Sequence, residues 1–472
     1  MDKPTPARAA LSGLMLVIVT LATLVDQFGK GVPLAGHAAN AAMLLYVALE
    51  YRNSPRAAKI IVWIAVLFAA LLLPRAREPW LLLQKGVAFG AFLSAFFAAL
   101  GFIRAASEKS GRIERAGRQL LAQPAGRRYL ALTLGSNLFG LILSMGVVNL
   151  FGVMVKRGNP TESGAEGGKL RALRERRAMM AIQRGFSMVP TWSPLSIPIP
   201  IVLQAIPTLR WETLVPAALA GALLLLLAGW VDDKLAFSGL ESTRATDGSG
   251  GGSGGWMVHA PFVLLVLGIF LASVLLEKTV GSSMVVGMMT CAPLAALLWM
   301  AGQASGLGWK KGAASLSQRL NRQVTEVFPQ YRTEMIIMFM AGFFGVLVRE
   351  TLPPGAIQEG IRFLAISPRW LPTITYLLVI VLSNLALHPM LAVIILSSAM
   401  PNPVQMGISP LSMALAYLCG WGVGISASPY TICNLMIGQL TGKTAHYVAY
   451  RWNGRYLLGV TLLGSVVLYL LA

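Results

Sequence analysis

The sequence predicts an all-α polytopic membrane protein of about eleven transmembrane helices plus two re-entrant hairpins, arranged as two inverted-topology repeats. Three observations carry that expectation: an apolar composition, long unbroken apolar runs, and a set of short polar motifs that occurs twice. Of 472 residues, 56% are hydrophobic and only 12% charged, with mean hydropathy +0.66. A soluble globular domain, about one quarter charged, is thereby excluded. Runs such as 215–231 and 456–471 are continuous, whereas membrane-barrel strands alternate in short segments.

The first run, Leu11 to Val25, follows Lys3 and Arg8. It is succeeded by Asp26-Gln27-Phe28-Gly29-Lys30 without a small-residue cleavage pattern, so residues 1–32 read as a first span with a cytoplasmic amino terminus. Further spans are expected near 33–50, 58–74, 79–104, 176–207, 213–231, 258–276, 281–301, 331–350, 409–440 and 456–471. Two more apolar segments, 129–155 and 371–399, decide the topology. Arg127 and Arg128 precede the first and Lys156 and Arg157 follow it, and both flanks prefer the cytoplasm, so the chain should enter and leave on one face. The second has Arg362 and Arg369 before it and the nearly uncharged stretch 401–405 after it, as suits a hairpin entered from outside. The count then places 302–330 and 443–455 inside, where Lys310, Lys311, Arg319, Arg322, Lys443, Arg451 and Arg455 fall. A full span at 129–155 would instead put one basic flank outside.

The organisation expected is a first repeat over 33–231, a cytoplasmic Gly/Ser-rich linker over 232–257 centred on Gly248 to Gly255, and a second repeat over 258–472. The net charge of +20 comes from basic residues clustered between apolar spans. It therefore reports orientation in a lipid bilayer, and no nucleic-acid partner is expected. Stretches 105–123 and 313–328 mix Arg or Lys with Ile, Leu and Val at helical spacing and read as amphipathic surface helices. Cys291, Cys419 and Cys433 lie in apolar stretches and make no metal or disulfide pattern.

The repeated motifs carry the chemistry. Gly135-Ser136-Asn137-Leu138 in the first hairpin matches Leu382-Ser383-Asn384-Leu385 in the second, each expected near the point where the chain turns. The segment from Gly185-Phe186 to Thr191-Trp192-Ser193-Pro194-Leu195-Ser196-Ile197 aligns without gaps to that from Gly420-Trp421 to Ser426-Ala427-Ser428-Pro429-Tyr430-Thr431-Ile432. Proline in a long apolar span removes a backbone donor, so Pro194 and Pro429 should each break a helix near the bilayer midplane. Such breaks are tolerated where they line a cavity, and half-helix amino termini favour an anion. Ser193, Ser196, Ser428 and Thr431 add hydroxyls around the breaks, and Asn434, three residues past Thr431, can face the same cavity. Ser-Asn side chains suit both a carboxylate and a dehydrated cation such as sodium.

These residues resemble the ion transporter superfamily, near the divalent anion/sodium symporters and citrate transporters. The resemblance covers about 33–472 in architecture and only the short motifs in sequence. It implies elevator-type carriers, commonly homodimers, with sodium and carboxylate sites formed by hairpin tips and broken helices. Members carry Ser-Asn-Thr at each tip, where this chain has Leu138 and Leu385.

His388-Pro389 lies inside an apolar segment, so His388 is a proton-coupling candidate, weighed against a histidine that bonds its own backbone. Arg184 reads as a cytoplasmic anchor and Asp232-Asp233 as span-end charges that reach water. No phosphate-cradling loop is present, and the 19 acidic residues form no repeated motif of the kind an enzyme would need. The expectation is therefore not an enzyme but a secondary carrier of a small anion, of the organic-acid class, driven by a sodium or proton gradient and needing no cofactor beyond a sodium ion. A flippase or membrane-embedded enzyme acting on a lipid-linked envelope precursor is the competing class, and a cation/proton antiporter the nearer competitor. Composition suits a bacterial inner membrane.

Overall fold

The computed structural model describes residues 6–29, 33–107, 110–158, 165–241, 255–305, 308–351, 356–400 and 402–472. Lys3, Lys30, Lys109 and residues 242–254 of the expected linker lie outside them. No strand occurs among the described residues. In chain order the helices are α1 (Pro6–Phe28), α2 (Pro33–Glu50), α3 (Arg56–Leu72), α4 (Pro79–Ser107), α5 (Gly111–Leu121), α6 (Ala125–Leu143), α7 (Gly146–Gly158), α8 (Ala165–Ser187), α9 (Val189–Trp192), α10 (Pro198–Ala205) and α11 (Trp211–Glu241). They continue with α12 (Ala260–Val280), α13 (Met284–Ala304), α14 (Trp309–Arg322), α15 (Arg332–Thr351), α16 (Ala356–Phe363), α17 (Leu371–Asn384), α18 (Pro389–Ala399), α19 (Pro410–Ala427), α20 (Ile432–Thr441) and α21 (Gly454–Leu471).

Among the described residues, nine helical stretches are long and apolar enough to cross a membrane. Each matches an expected span. The two expected spans outside this set are 33–50 and 176–207. α2 is made more polar by His37, Asn40 and Glu50, and α8 to α10 are rich in Arg at the start and interrupted at Ser193.

The chain divides into two compact units that cut across the sequence repeats: Met1–Lys109 with Leu267–Ile357, and Ser110–Val266 with Gln358–Ala472. Of the expected repeats, the spans near 33–50, 58–74, 79–104, 281–301 and 331–350 fall in the first unit, the hairpins, broken helices and last spans in the second, and α12 is divided between them.

In the first unit α4 crosses α15 at Gly90 and Gly342, where a Cβ on Gly342 would lie 2.9 Å from the Gly90 Cα. Small residues let the two backbones meet, the usual device where lipid supplies no hydrophobic drive between helices. Glu50, at 0% exposure, closes α2 with its carboxylate 3.9 Å from Arg332 Nε. Arg332 also donates to the Asn53 carbonyl at 3.4 Å. α14 bears Lys310, Lys311, Arg319 and Arg322 and overlaps the expected amphipathic stretch 313–328 over 313–322.

The second unit holds both hairpins. α6 and α7 are joined at Ser144-Met145, and α17 and α18 at 385–388. At 13, 14 and 11 residues, α7, α17 and α18 are each too short for a bilayer core of about 30 Å. Both turns rest on a non-glycine residue in left-handed backbone, Ser144 with φ 52° and Ala386 with φ 66°. The Ser-Asn motifs are placed differently from each other. Ser383-Asn384 ends α17 at the tip, but Ser136-Asn137 sits inside α6, about two turns short of it, because the apolar run Leu138 to Leu143 contains nothing to stop the helix.

Two readings of charge are corrected here. Arg184 is 3% exposed and donates through Nη2 to Asp232 Oδ2 at 2.8 Å. Asp233 is 2% exposed and is clasped by Arg177 at 2.7 and 3.0 Å. A carboxylate at the end of a span is stable inside protein when a guanidinium from a neighbouring helix meets it, and α8 supplies two.

Candidate functional site

The two proline motifs fold into the same local structure. A residue before proline is pushed from helical toward extended backbone. Accordingly Ser193 (φ −80°, ψ 124°) ends α9 and Ser428 (φ −84°, ψ 124°) ends α19. The Ser193 amide donates to the Val189 carbonyl at 3.1 Å and the Ser428 amide to that of Gly424 at 3.0 Å. Each serine hydroxyl accepts the amide two residues on, Leu195 at 3.1 Å and Tyr430 at 3.2 Å. Each serine carbonyl accepts the hydroxyl three residues on, Ser196 at 2.5 Å and Thr431 at 2.9 Å. Each of these three bonds thus recurs at both breaks.

At the second break Asn434 does not face an open cavity. Its Nδ2 donates to the carbonyls of Ser428 at 2.8 Å, Ser426 at 3.1 Å and Ile425 at 3.3 Å, beside the break that Pro429 makes in the helix. Thr431 Oγ1 adds a bond to Ile425 O at 2.9 Å. α20 starts just beyond, with no side-chain hydrogen bond at its cap and no acidic residue in its first turn.

Most of the other candidate side chains are also engaged. Asn137 donates to the Gly185 carbonyl at 3.1 Å and accepts Trp192 Nε1 at 3.3 Å. Asn384 donates to Ile380 O at 2.8 Å and accepts the Tyr450 hydroxyl at 2.9 Å. Ser383 Oγ donates to Val379 O at 2.6 Å. His388 Nδ1 accepts the Met390 amide at 3.2 Å and so caps α18, a bond that exists only while that nitrogen is unprotonated.

Three candidates stand apart. The hydroxyls of Ser136, Thr191 and Ser426 are buried and have no hydrogen-bond partner in the protein. A Cβ placed on Gly422 would lie 2.3 Å from Thr191 Oγ1 and 2.8 Å from the Ser187 carbonyl, so α9 rides directly on α19. Ser426 follows Gly422 by one helical turn and shares that face. Ser136 packs on α8, its Cβ 2.9 Å from where a Cβ on Gly185 would be. Its neighbour Asn137 reaches Trp192, the neighbour of Thr191. Buried hydroxyls in native structures are almost always bonded, and these three unpaired ones lie on helices at or packed beside the two breaks.

Sequence reasoning missed Gln183 and Asn453. Both are fully buried, and they bond to each other and to Asn434 and Arg184. The available signal was polarity alone: Gln183 stands in the otherwise apolar run Ala178 to Ile182 just before Arg184.

No protein-family model and no curated protein matches the chain. Among solved structures, the fold is similar to the crystal structure of the YdaH transporter of Alcanivorax borkumensis, described as having an unusual topology. The TM-score is 0.55 at 15% identity, over 87% of this chain and 98% of that one. At that identity the likeness is one of fold.

Proposed function

We propose that this protein is a secondary membrane transporter of a small anion of the organic-acid class, coupled to a sodium or proton gradient. The observation that carries the reading is the pair of equivalent breaks with buried, unpaired hydroxyls at Thr191 and Ser426. An O–H can donate to a carboxylate oxygen, and the uncapped amino terminus of α20 adds partial positive charge without an acidic residue to cancel it. Among the described residues no cluster of His, Cys, Asp and Glu could hold a metal ion. A sodium ion has hydroxyl oxygens to bind at Ser136, Thr191 and Ser426. At the second break it meets carbonyls already engaged by Asn434 and Thr431. The similar fold of a known transporter supports the general class.

The alternating-access reading is of the elevator type. The unit that holds both hairpins and both breaks is the body that carries cargo, and the inverted arrangement of the repeats lets it be exposed to either side. An inner-membrane location with a cytoplasmic amino terminus, and a homodimer, belong to the same proposal.

Purified protein in liposomes tests it. Labelled mono- and dicarboxylates should accumulate under an imposed sodium or proton gradient and not without one. Movement of a lipid-linked substrate in place of soluble anions would transfer the cavity to the flippase reading.

A further inference from the structure

A continuous file of buried polar side chains runs from the second helix break to a charged cluster. Asn434 Nδ2 donates to the carbonyls of Ile425, Ser426 and Ser428 at the break. Asn434 Oδ1 accepts from Gln183 Nε2, and Gln183 Oε1 accepts from Asn453 Nδ2. Asn453 Oδ1 accepts Arg184 Nε at 3.0 Å. Arg184 binds Asp232 Oδ2 at 2.8 Å, and Asp232 Oδ1 accepts Arg455 Nε at 2.6 Å. Arg184 is further fixed by the Tyr129 hydroxyl and the Gly229 carbonyl, each at 3.3 Å, and by the Tyr456 ring 4.1 Å below it.

The direction of this file matters. Asn434 can give its amide hydrogens to the break only if its oxygen faces Gln183, so its orientation follows from that of Gln183. Gln183 in turn is oriented by Asn453, whose oxygen is claimed by a guanidinium that cannot accept. One fixed charge therefore sets the sense of three amides in a row, and bonds aligned in this way reinforce one another. The file joins α8, α11, α20, α21 and the turn before α21, all within the second unit.

We infer that Gln183 is a positioning residue: anchored through Asn453 to the Arg184–Asp232 pair, it holds Asn434 in the one orientation that keeps the α19 break in shape. The link to cargo rests on the transport reading above, but the positioning itself does not, and it has its own readout. Cys433, the neighbour of Asn434 in the first turn of α20, is fully buried and reduced.

The experiment labels Cys433 with a small methanethiosulfonate reagent in full-length protein in detergent, in a background with Cys291→Ala and Cys419→Ala. Gln183→Leu removes both amide bonds at similar volume. Labelling of Cys433 should speed up by about tenfold or more as the break opens locally. Thr133→Val, which removes a buried hydroxyl bond on the neighbouring helix α6, should leave the labelling rate unchanged even where it lowers the melting temperature as much. In liposomes that transport, Gln183→Leu should raise the KM for the anion more than it lowers kcat. If Gln183→Leu does not yield folded protein, Asn453→Ala severs the next link and should speed labelling in the same way. Labelling at the wild-type rate in a folded Gln183→Leu or Asn453→Ala protein, or an equal acceleration in Thr133→Val, would overturn the inference. Absence of transport in every liposome sample, with labelling accelerated only in the file variants, would sink the proposed function and leave the positioning role standing.

Discussion

Thr191 and Ser426 hold the same place in two copies of one helix break: each stands two residues before the serine that ends its helix, and each has a buried hydroxyl that bonds to nothing in the protein. Leaving a hydroxyl unpaired at that depth costs the fold its desolvation, and under the transport reading proposed above a polar guest recovers that cost.

Thr191→Val and Ser426→Ala should therefore not destabilise the protein. Removing an unsatisfied buried hydroxyl at nearly constant shape is expected to leave stability unchanged or raise it by up to about 1 kcal/mol. Equilibrium unfolding in mixed micelles measures this, and a loss of more than about 1 kcal/mol would show that the hydroxyls are paired after all.

Asn434→Leu should behave in the opposite way. It takes the side-chain donor from the Ser426 carbonyl and the acceptor from Gln183 Nε2, while Thr431 still serves the carbonyls of Ile425 and Ser428, and the expected loss is about 2–4 kcal/mol, read in the same unfolding assay.

Asp233→Asn should cost about 2–3 kcal/mol, because the half-buried Arg177 fork then faces a neutral amide. Arg210 and Glu212 form an exposed pair at 2.7 Å, and Glu212→Gln should change stability by less than about 1 kcal/mol.

The hairpin turns offer gains. Ser144→Gly and Ala386→Gly relieve left-handed backbone and should each add about 1 kcal/mol, raising the melting temperature in detergent. His388→Asn should retain the cap on α18, since asparagine is a strong helix cap, whereas His388→Ala should lose about 1 kcal/mol. If instead His388 carries the coupling proton, both variants abolish proton-driven uptake while His388→Asn keeps its stability.

What was legible in the sequence followed the local rules. Apolar runs located the nine helical stretches that, among the described residues, are long and apolar enough to cross a membrane, and proline's missing donor located both breaks, because each depends only on neighbours in the chain. The Ser136-Asn137 motif was a poorer guide to the hairpin tip. Nothing in Ser-Asn itself turns a chain, and α6 ran on through Leu138 to Leu143 to end at Ser144. Arg184 and Asp233 looked like surface charges because hydropathy is blind to their partners, Asp232 and Arg177, 48 and 56 residues away, and that pairing lets them be buried. Gln183 and Asn453 lie 270 residues apart, so their bond has no trace in a single sequence.

Initial anion flux into liposomes, compared between the wild type and the Thr191→Val/Ser426→Ala double variant at matched protein insertion and driving gradient, tests the shared site most directly. Loss of flux by about 100-fold or more, with melting temperature preserved, is the expected result, as two hydrogen bonds to a charged guest are removed. Flux at the wild-type level would contradict it and would move the cargo site away from the two breaks.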